Sequence, residues 1–417
     1  MVGEVLAVVN IGQLVTLAGP ARTRVGGQLR EPGAVADGAL IAWNGRIAAA
    51  GAYRDLKESI PPVATVIDAE GRAVTPGFVD AHTHLVFAGN RAAEFEQRIA
   101  GASYQEIAAA GGGILRTVEL TRAASEDELL IAARRYRDWM LRSGTTTIEA
   151  KSGYGLDRAT ELKLLRVLAQ LNDEGPATIV PTLLAAHTFP PEFAGRRAPY
   201  VRWIAEELIP EVAKAGLARY CDAFCDESAF TVQETHTVLT SAIRNGLGLR
   251  VHADQFKSGS GAVMASILGA ATADHLEAIE DEDLQHLWTA GTQPVLLPGS
   301  VFALSRTQYP PARKMIDAGL AIVLATDFNP GSSPIASMPF VLSLACLEMG
   351  LSPAEALTAA TINAAWSLGL GDRTGSLETG KQADFLIHEF TDYRELAYFI
   401  AAPARPRVFI GGREVTR

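Results

Sequence analysis

The residues of this chain whose types and spacing could do chemistry are mostly histidines. His82-Thr83-His84 sets two imidazoles two positions apart, and in an extended segment residues i and i+2 face the same side, so both rings project together. His252, His275 and Asp327 each stand at the polar end of a short apolar run, and His187 follows another. Imidazoles and a carboxylate gathered at one point suit a borderline divalent metal such as Zn²⁺ or Fe²⁺. Of the eight histidines, His236, His286 and His388 carry no such pattern and read as ordinary core or surface residues.

These residues need a frame that brings strand ends together. Between residues 77 and 365, runs such as GFVDAHTH, TTTIEAKSG, ATIVPTLLAAH, RYCDAFCD, LRVHADQ, ATADHLE, TQPVLLPG and AIVLATDFNPG alternate with helix-like segments. Eight such units predict an α/β fold, a (β/α)₈ TIM-like barrel, whose chemistry sits at the C-terminal strand ends. A doubly wound sheet is the alternative, but the chain lacks its Gly-x-Gly-x-x-Gly fingerprint. Ser125 with Glu128 forms a capping box that opens a helix to Arg142, closed by Gly144. Residues 1–76 and 366–417 are β-rich, with Asn44-Gly45 and Gly411-Gly412 as hairpin turns, and predict a small β-sandwich domain built from both termini.

Composition narrows the partners. The chain has 417 residues, 48% of them hydrophobic and 20% charged, so it can bury a large core. Lys+Arg 37 against Asp+Glu 47 gives a net charge of −10, without a basic cluster, which argues against nucleic acid. No run is apolar and long enough to span a bilayer, and the first residues lack the basic character of a signal peptide. The three cysteines, Cys221, Cys225 and Cys346, form no disulfide framework and read as thiols in a reducing cytoplasm. A small-molecule substrate fits this balance.

PGFVDAHTHLVFAG (76–89) resembles the opening of the amidohydrolase superfamily, and GSLETGKQADFLI (375–387) resembles its closing signature. EAKSGYGL, AAHTFPPE, VHADQ, ADHLE and ATDFNPGSSP narrow the resemblance to the branch that hydrolyses the cyclic amide of 4-imidazolone-5-propanoate to N-formimidoyl-L-glutamate in histidine degradation. The resemblance runs through nearly the whole chain. It implies metal ligands at His82, His84, His252 and Asp327, and substrate contacts at Arg91, Tyr154, His187, Gln255, Asn329, Gly331 and Ser332. It also implies one Zn²⁺ or Fe²⁺/Fe³⁺ per subunit and a homodimer. Arg91 offers a planar fork for the propionate carboxylate. The Asn329–Ser333 turn is expected to offer backbone N–H groups and hydroxyls to further oxygens.

The mechanism this implies gives Asp327 the role of general base. His275 is expected to hydrogen-bond the attacking water or the developing oxyanion rather than act as a fifth ligand. A guanine- or cytosine-type aminohydrolase is the rival. Such enzymes show Glu where Gln255 stands, and an amide cannot shuttle a proton. RYCDAFCD contains no lysine to be carboxylated as a bridge between two metals, and Lys151 reads as a structural cation or as one set behind the metal ligands.

Overall fold

The computed structural model describes residues 4–101, 106, 111–226, 229–402 and 405–415. Five strands come first: β1 (Val5–Val15), β2 (Ala34–Trp43), β3 (Arg46–Ala52), β4 (Thr65–Asp68) and β5 (Ala73–Pro76). Eight more follow: β6 (Phe78–Asp80), β7 (Thr145–Lys151), β8 (Thr178–Ala186), β9 (Tyr220–Cys225), β10 (Gly248–Ala253), β11 (Thr272–His275), β12 (Gln293–Leu296) and β13 (Val323–Leu324). The chain closes with β14 (Phe385–Ile387), β15 (Arg407–Ile410) and β16 (Arg413–Glu414).

The two termini share one continuous sheet, ordered β16-β15-β14-β5-β1-β2-β3, with β4 also on β1. The chain ends meet where β5 and β14 pair antiparallel, Val74 opposite Ile387. Both expected hairpin turns form. Asn44 and Gly45 take φ 49° and 77°, and Gly411 and Gly412 take 55° and 75°, the left-handed pair that a tight two-residue turn needs. Leu14, Leu40, Val74, Phe385 and Phe409 are among the side chains of this sheet's own core.

Strands β6 to β13 pair in sequence order, parallel throughout, and form the barrel. Parallel strands between helices are buried on both faces, and all seven residues of β7 are buried. The helices have the signals the sequence carries. Ser125 and Glu128 cap Glu126–Arg142 reciprocally, and Asp157 accepts the Thr160 N–H to open Arg158–Glu174. No helix among the described residues is long and apolar enough to cross a membrane.

Two strands are shorter than the sequence suggests. β6 ends at Asp80 and β13 at Leu324, before the residues that carry chemistry. The cause is Asp80, whose carboxylate takes the Thr326 N–H at 3.1 Å and the Thr326 hydroxyl at 2.6 Å, displacing a backbone ladder. The barrel closes just beyond, where Asp327 N–H donates to the His82 carbonyl at 3.0 Å and His84 N–H to the Phe328 carbonyl at 2.8 Å.

One buried carboxyl in the terminal sheet gives a pH signature. Asp384 accepts the Gly411 N–H at 2.9 Å and lies 3.3 Å from the Thr374 hydroxyl. Burial pushes it up to about 6, against those hydrogen bonds. A carboxyl whose folded pKa exceeds its unfolded value holds its proton more tightly when folded, so its stabilisation is full below the unfolded pKa and is lost as pH rises through about 6. Asp384→Asn keeps an acceptor for Gly411 and removes the charge. It should match the wild type near pH 4 and be more stable by about 1–3 kcal/mol near pH 8. Thermal melts at both pH values check this, and an equal offset at both would refute it.

Candidate metal centre

His82 and His84 lie just past the end of β6, and their rings reach one cluster, with centroids 5.4 Å apart. His252 enters from β10, His275 from the end of β11 and Asp327 from beyond β13. Ring nitrogens of His82, His84 and His252 lie within 4.8 Å of one another, and donor atoms of His82, His275 and Asp327 form a second group within the same limit. Asp327 Oδ1 is 3.6 Å from His82 Nε2 and 3.5 Å from His84 Nε2. All five side chains are buried. His275, far along the chain, is therefore adjacent in space, and distance does not keep it from the ligand set.

The donor chemistry fits a cation. His82 Nδ1 donates to Asp274 Oδ2 at 2.6 Å, which fixes the lone pair on Nε2, and that buried Nε2 has no hydrogen-bond partner. His252 Nδ1 contacts Asp222 Oδ2 at 3.0 Å, and its Nε2 stands 3.5 Å from His84 Nε2. Burial, with Lys151 and the neighbouring rings adding to it, holds His82 and His84 well below the usual imidazole range. They are thus neutral, as metal ligands must be. Burial works against charge on His275, but Glu277, 3.3 Å from its Nδ1, and then Asp327 outweigh it and raise its pKa. Burial likewise raises Asp327, with His275 and His252 pulling the other way.

The residues expected to touch substrate surround this cluster. His187 stacks on His84 at 5.0 Å and 17°, and its Nδ1 donates to the Gly153 carbonyl at 3.0 Å. Tyr154 is buried with its ring 5.8 Å from His84 and 5.4 Å from His187. Its loop is pinned from behind by Glu161, whose carboxylate accepts N–H groups of Gly153, Gly155 and Leu156 at 3.1, 2.8 and 2.8 Å. Gln255 is buried just past β10. Arg91 sits at the start of the helix Ala92–Ile99, with Nε and Nη2 on Glu94 at 2.7 and 2.6 Å. Its Nη1 lies against Gly331, where a Cβ would come within 2.1 Å, so this glycine makes room for the guanidinium.

The Asn329–Ser333 turn differs from expectation. Asn329 Oδ1 accepts the N–H groups of Gly331, Ser332 and Ser333 at 2.8, 2.7 and 3.4 Å, and Asn329 Nδ2 donates to the Asp327 carbonyl at 2.7 Å. The side chain turns inward to satisfy donors that would otherwise lie bare. Those backbone donors are spent within the turn, and the Ser332 hydroxyl is drawn into it as well, 2.9 Å from Asn329 Nδ2 and 3.2 Å from Asn329 Oδ1.

Sequence reasoning singled out Lys151 as a cation but missed the charged layer beneath the histidines to which it belongs. Glu149, Lys151, Asp222, Arg250 and Asp274 are all fully buried inside the barrel. Their signal was present as charged residues at alternate positions of otherwise apolar strands, as in TIEAK and LRVHA. Barrel interiors are usually filled by branched apolar residues.

Comparisons with known proteins agree with this architecture. Residues 73–415 match the model of the Amidohydrolase family. The chain is 54% identical over 411 residues to an imidazolonepropionase of Solibacter usitatus, covering 99% of this chain and 98% of that one. It is 46% identical over 411 residues to one of Symbiobacterium thermophilum, covering 98% and 96%. A 5-methylcytosine deaminase from Klebsiella pneumoniae, liganded with phosphonocytosine, superposes with a TM-score of 0.73 at 16% identity, covering 99% of this chain and 98% of that one. E. coli guanine deaminase gives 0.70 at 17% identity, with 99% of each chain covered. These two structures share the fold alone.

A cation bound by the folded state alone stabilises it by mass action. Zn²⁺ at about 100 times its Kd should add about 2.7 kcal/mol. His252→Ala and Asp327→Ala should each abolish the rise in Tm. Melts with and without chelator measure it, and a variant that keeps the full rise would remove its residue from the centre.

Proposed function

The chain belongs to the amidohydrolase family and, within it, to the imidazolonepropionases, and from that premise we propose how its residues divide the work. It is a hydrolase of carbon–nitrogen bonds in cyclic amides. Water opens the ring of 4-imidazolone-5-propanoate to give N-formimidoyl-L-glutamate in histidine degradation. The observation that carries this conclusion is the match to imidazolonepropionases along almost the entire length of both chains.

The proposed ligands are His82, His84, His252 and Asp327, holding one Zn²⁺, Fe²⁺ or Fe³⁺ per chain. When bound, the ion supplies Lewis acidity and lowers the pKa of a water toward neutrality. Asp327, raised by burial, takes a proton as water adds to the ring carbonyl carbon. His275, with Nδ1 on Glu277, turns its other ring nitrogen to the developing oxyanion, and its raised pKa favours the donating form. The bond from that carbon to the ring nitrogen breaks, and Asp327 returns the proton to the nitrogen. Tyr154 and the stacked His187 close the pocket wall, and Ser332 and Asn329 border it. The decisive experiment follows ultraviolet loss of imidazolone propionate with and without chelator. Faster turnover of guanine or cytosine would hand the chain to the deaminase reading instead.

Arg91 is proposed to bind the propionate carboxylate. Its Glu94 partner fixes the guanidinium plane while leaving Nη1 toward Gly331. Arg91→Ala should lower kcat/KM roughly 30- to 1,000-fold, the equivalent of about 2–4 kcal/mol. Arg91→Lys should raise KM more than it lowers kcat. Steady-state kinetics check both, and an unchanged kcat/KM in Arg91→Ala refutes the assignment.

Gln255 separates ring hydrolysis from deamination, since an amide is neither acid nor base near neutral pH. It is proposed to read one N–H/C=O edge of the ring. Gln255→Ala should cost about 1–3 kcal/mol with the basic limb of the kcat/KM profile unmoved. Asp327→Asn should cost several orders of magnitude, because ligand and base go together. If Gln255→Ala were as inactive as Asp327→Asn with metal still bound, positioning alone would not explain it.

A further inference from the structure

Lys151 lies at the end of β7 with its ammonium fully buried behind the histidine cluster. Its Nζ is 2.9 Å from Glu149 Oε1, 2.9 Å from Asp222 Oδ2 and 3.9 Å from Asp274 Oδ2. Each of these carboxylates holds a different part of the cluster. Asp274 accepts from His82 Nδ1 at 2.6 Å. Asp222 Oδ1 accepts the backbone N–H of His252 at 3.2 Å, and its Oδ2 stands 3.0 Å from His252 Nδ1, a charge contact without hydrogen-bond alignment. Glu149 Oε2 accepts the N–H of Thr83 at 3.3 Å, and Thr83 stands between His82 and His84. The Lys151 backbone N–H also donates to the Thr83 carbonyl at 2.9 Å.

We propose that Lys151 is a positioning residue for the metal centre: one ammonium clamps the three carboxylates that orient His82, His252 and the segment carrying His84. The proposal rests on the reading of these histidines as metal ligands.

The alternative cation, Arg250, cannot take this part. It approaches Asp274 at 3.6 Å and Glu149 at 3.9 Å, but its guanidinium is tied to the carbonyls of Ala81 at 2.7 Å and Ser367 at 3.2 Å. Lys151 is the group that faces all three carboxylates. Without it, three buried carboxylates would face one arginine, and their mutual repulsion would turn them away from the imidazoles they hold. Partners that orient metal-binding histidines typically carry a roughly 10- to 100-fold share of metal affinity.

The test is metal affinity of folded, metal-stripped full-length protein by competition with a chelator, joined to the visible spectrum of the Co²⁺-loaded form. Lys151→Met should weaken Zn²⁺ binding roughly 10- to 100-fold and alter the Co²⁺ spectrum. Because three unbalanced carboxylates could prevent folding, the charge-matched pair Lys151→Met/Asp222→Asn is the second variant. If Lys151 acts through Asp222, the pair should bind metal more tightly than the product of the two single losses. A folded variant with wild-type affinity and spectrum would reduce Lys151 to a core counter-ion and overturn the proposal. If His252→Ala also kept wild-type affinity, the ligand reading itself would fall, a result distinct from failure of the Lys151 clamp alone.

Discussion

The hydrogen bond from the Asp327 N–H to the His82 carbonyl closes the barrel. The side chains of the same two residues meet 3.6 Å apart in the candidate centre. Closure of the fold and assembly of the site are therefore one event. The first and last strands do not run side by side as a ladder. Asp80 interrupts them by taking the Thr326 N–H into its carboxylate. That exchange of backbone for side-chain pairing lets the chain bend inward past Asp80 and past Leu324. An uninterrupted parallel ladder would continue the pleat and send alternate residues outward to the helices.

Beneath the histidines the barrel departs from the usual apolar filling. Two cations and three carboxylates sit fully buried there. Removing ions from water costs several kcal/mol each after relaxation, and a well-packed apolar core is often as stable. Stability alone does not account for such a layer. Its geometry does, because each carboxylate ends on a histidine or on the residue between two histidines. A neutral imidazole can rotate and exchange tautomers, whereas one that donates to a fixed carboxylate presents its other nitrogen in one direction. The cost of burying charge is offset where it removes that freedom at the centre.

The frame was legible because its signals are local and periodic. The eight apolar runs, the Ser125 capping box and the two glycine turns each depend on neighbours within a few residues. The histidines were legible because strand ends must converge in a barrel. The Asn329 turn was not, since the sequence shows its donors and not that its own side chain takes them. The buried ion cluster was hidden for another reason. Glu149, Asp222 and Asp274 look like interruptions of their strands until register sets them around Lys151, and register is a property of the closed sheet. The proximity of Arg91 to Gly331 belongs to the same class, because nothing near either residue in sequence announces the other.

Two side chains of the cluster stand on left-handed backbone. Asp327 takes φ 54° and His275 takes φ 83°, both in the left-handed region. A residue with a Cβ costs roughly 1–3 kcal/mol there, and glycine would avoid most of it. The chain uses glycine at many other left-handed positions, including Gly153 beside Tyr154, so the option was open. At Asp327 and His275 it keeps a carboxylate and an imidazole instead. Surrounding bonds hold both bends: Asn329 Nδ2 on the Asp327 carbonyl at 2.7 Å, and the N–H of Leu276, next to His275, on the Ala253 carbonyl at 3.1 Å. At these two positions the surrounding bonds hold an unfavourable turn that keeps a carboxylate and an imidazole in the cluster, while other left-handed residues such as Leu156 and Leu276 lie outside it.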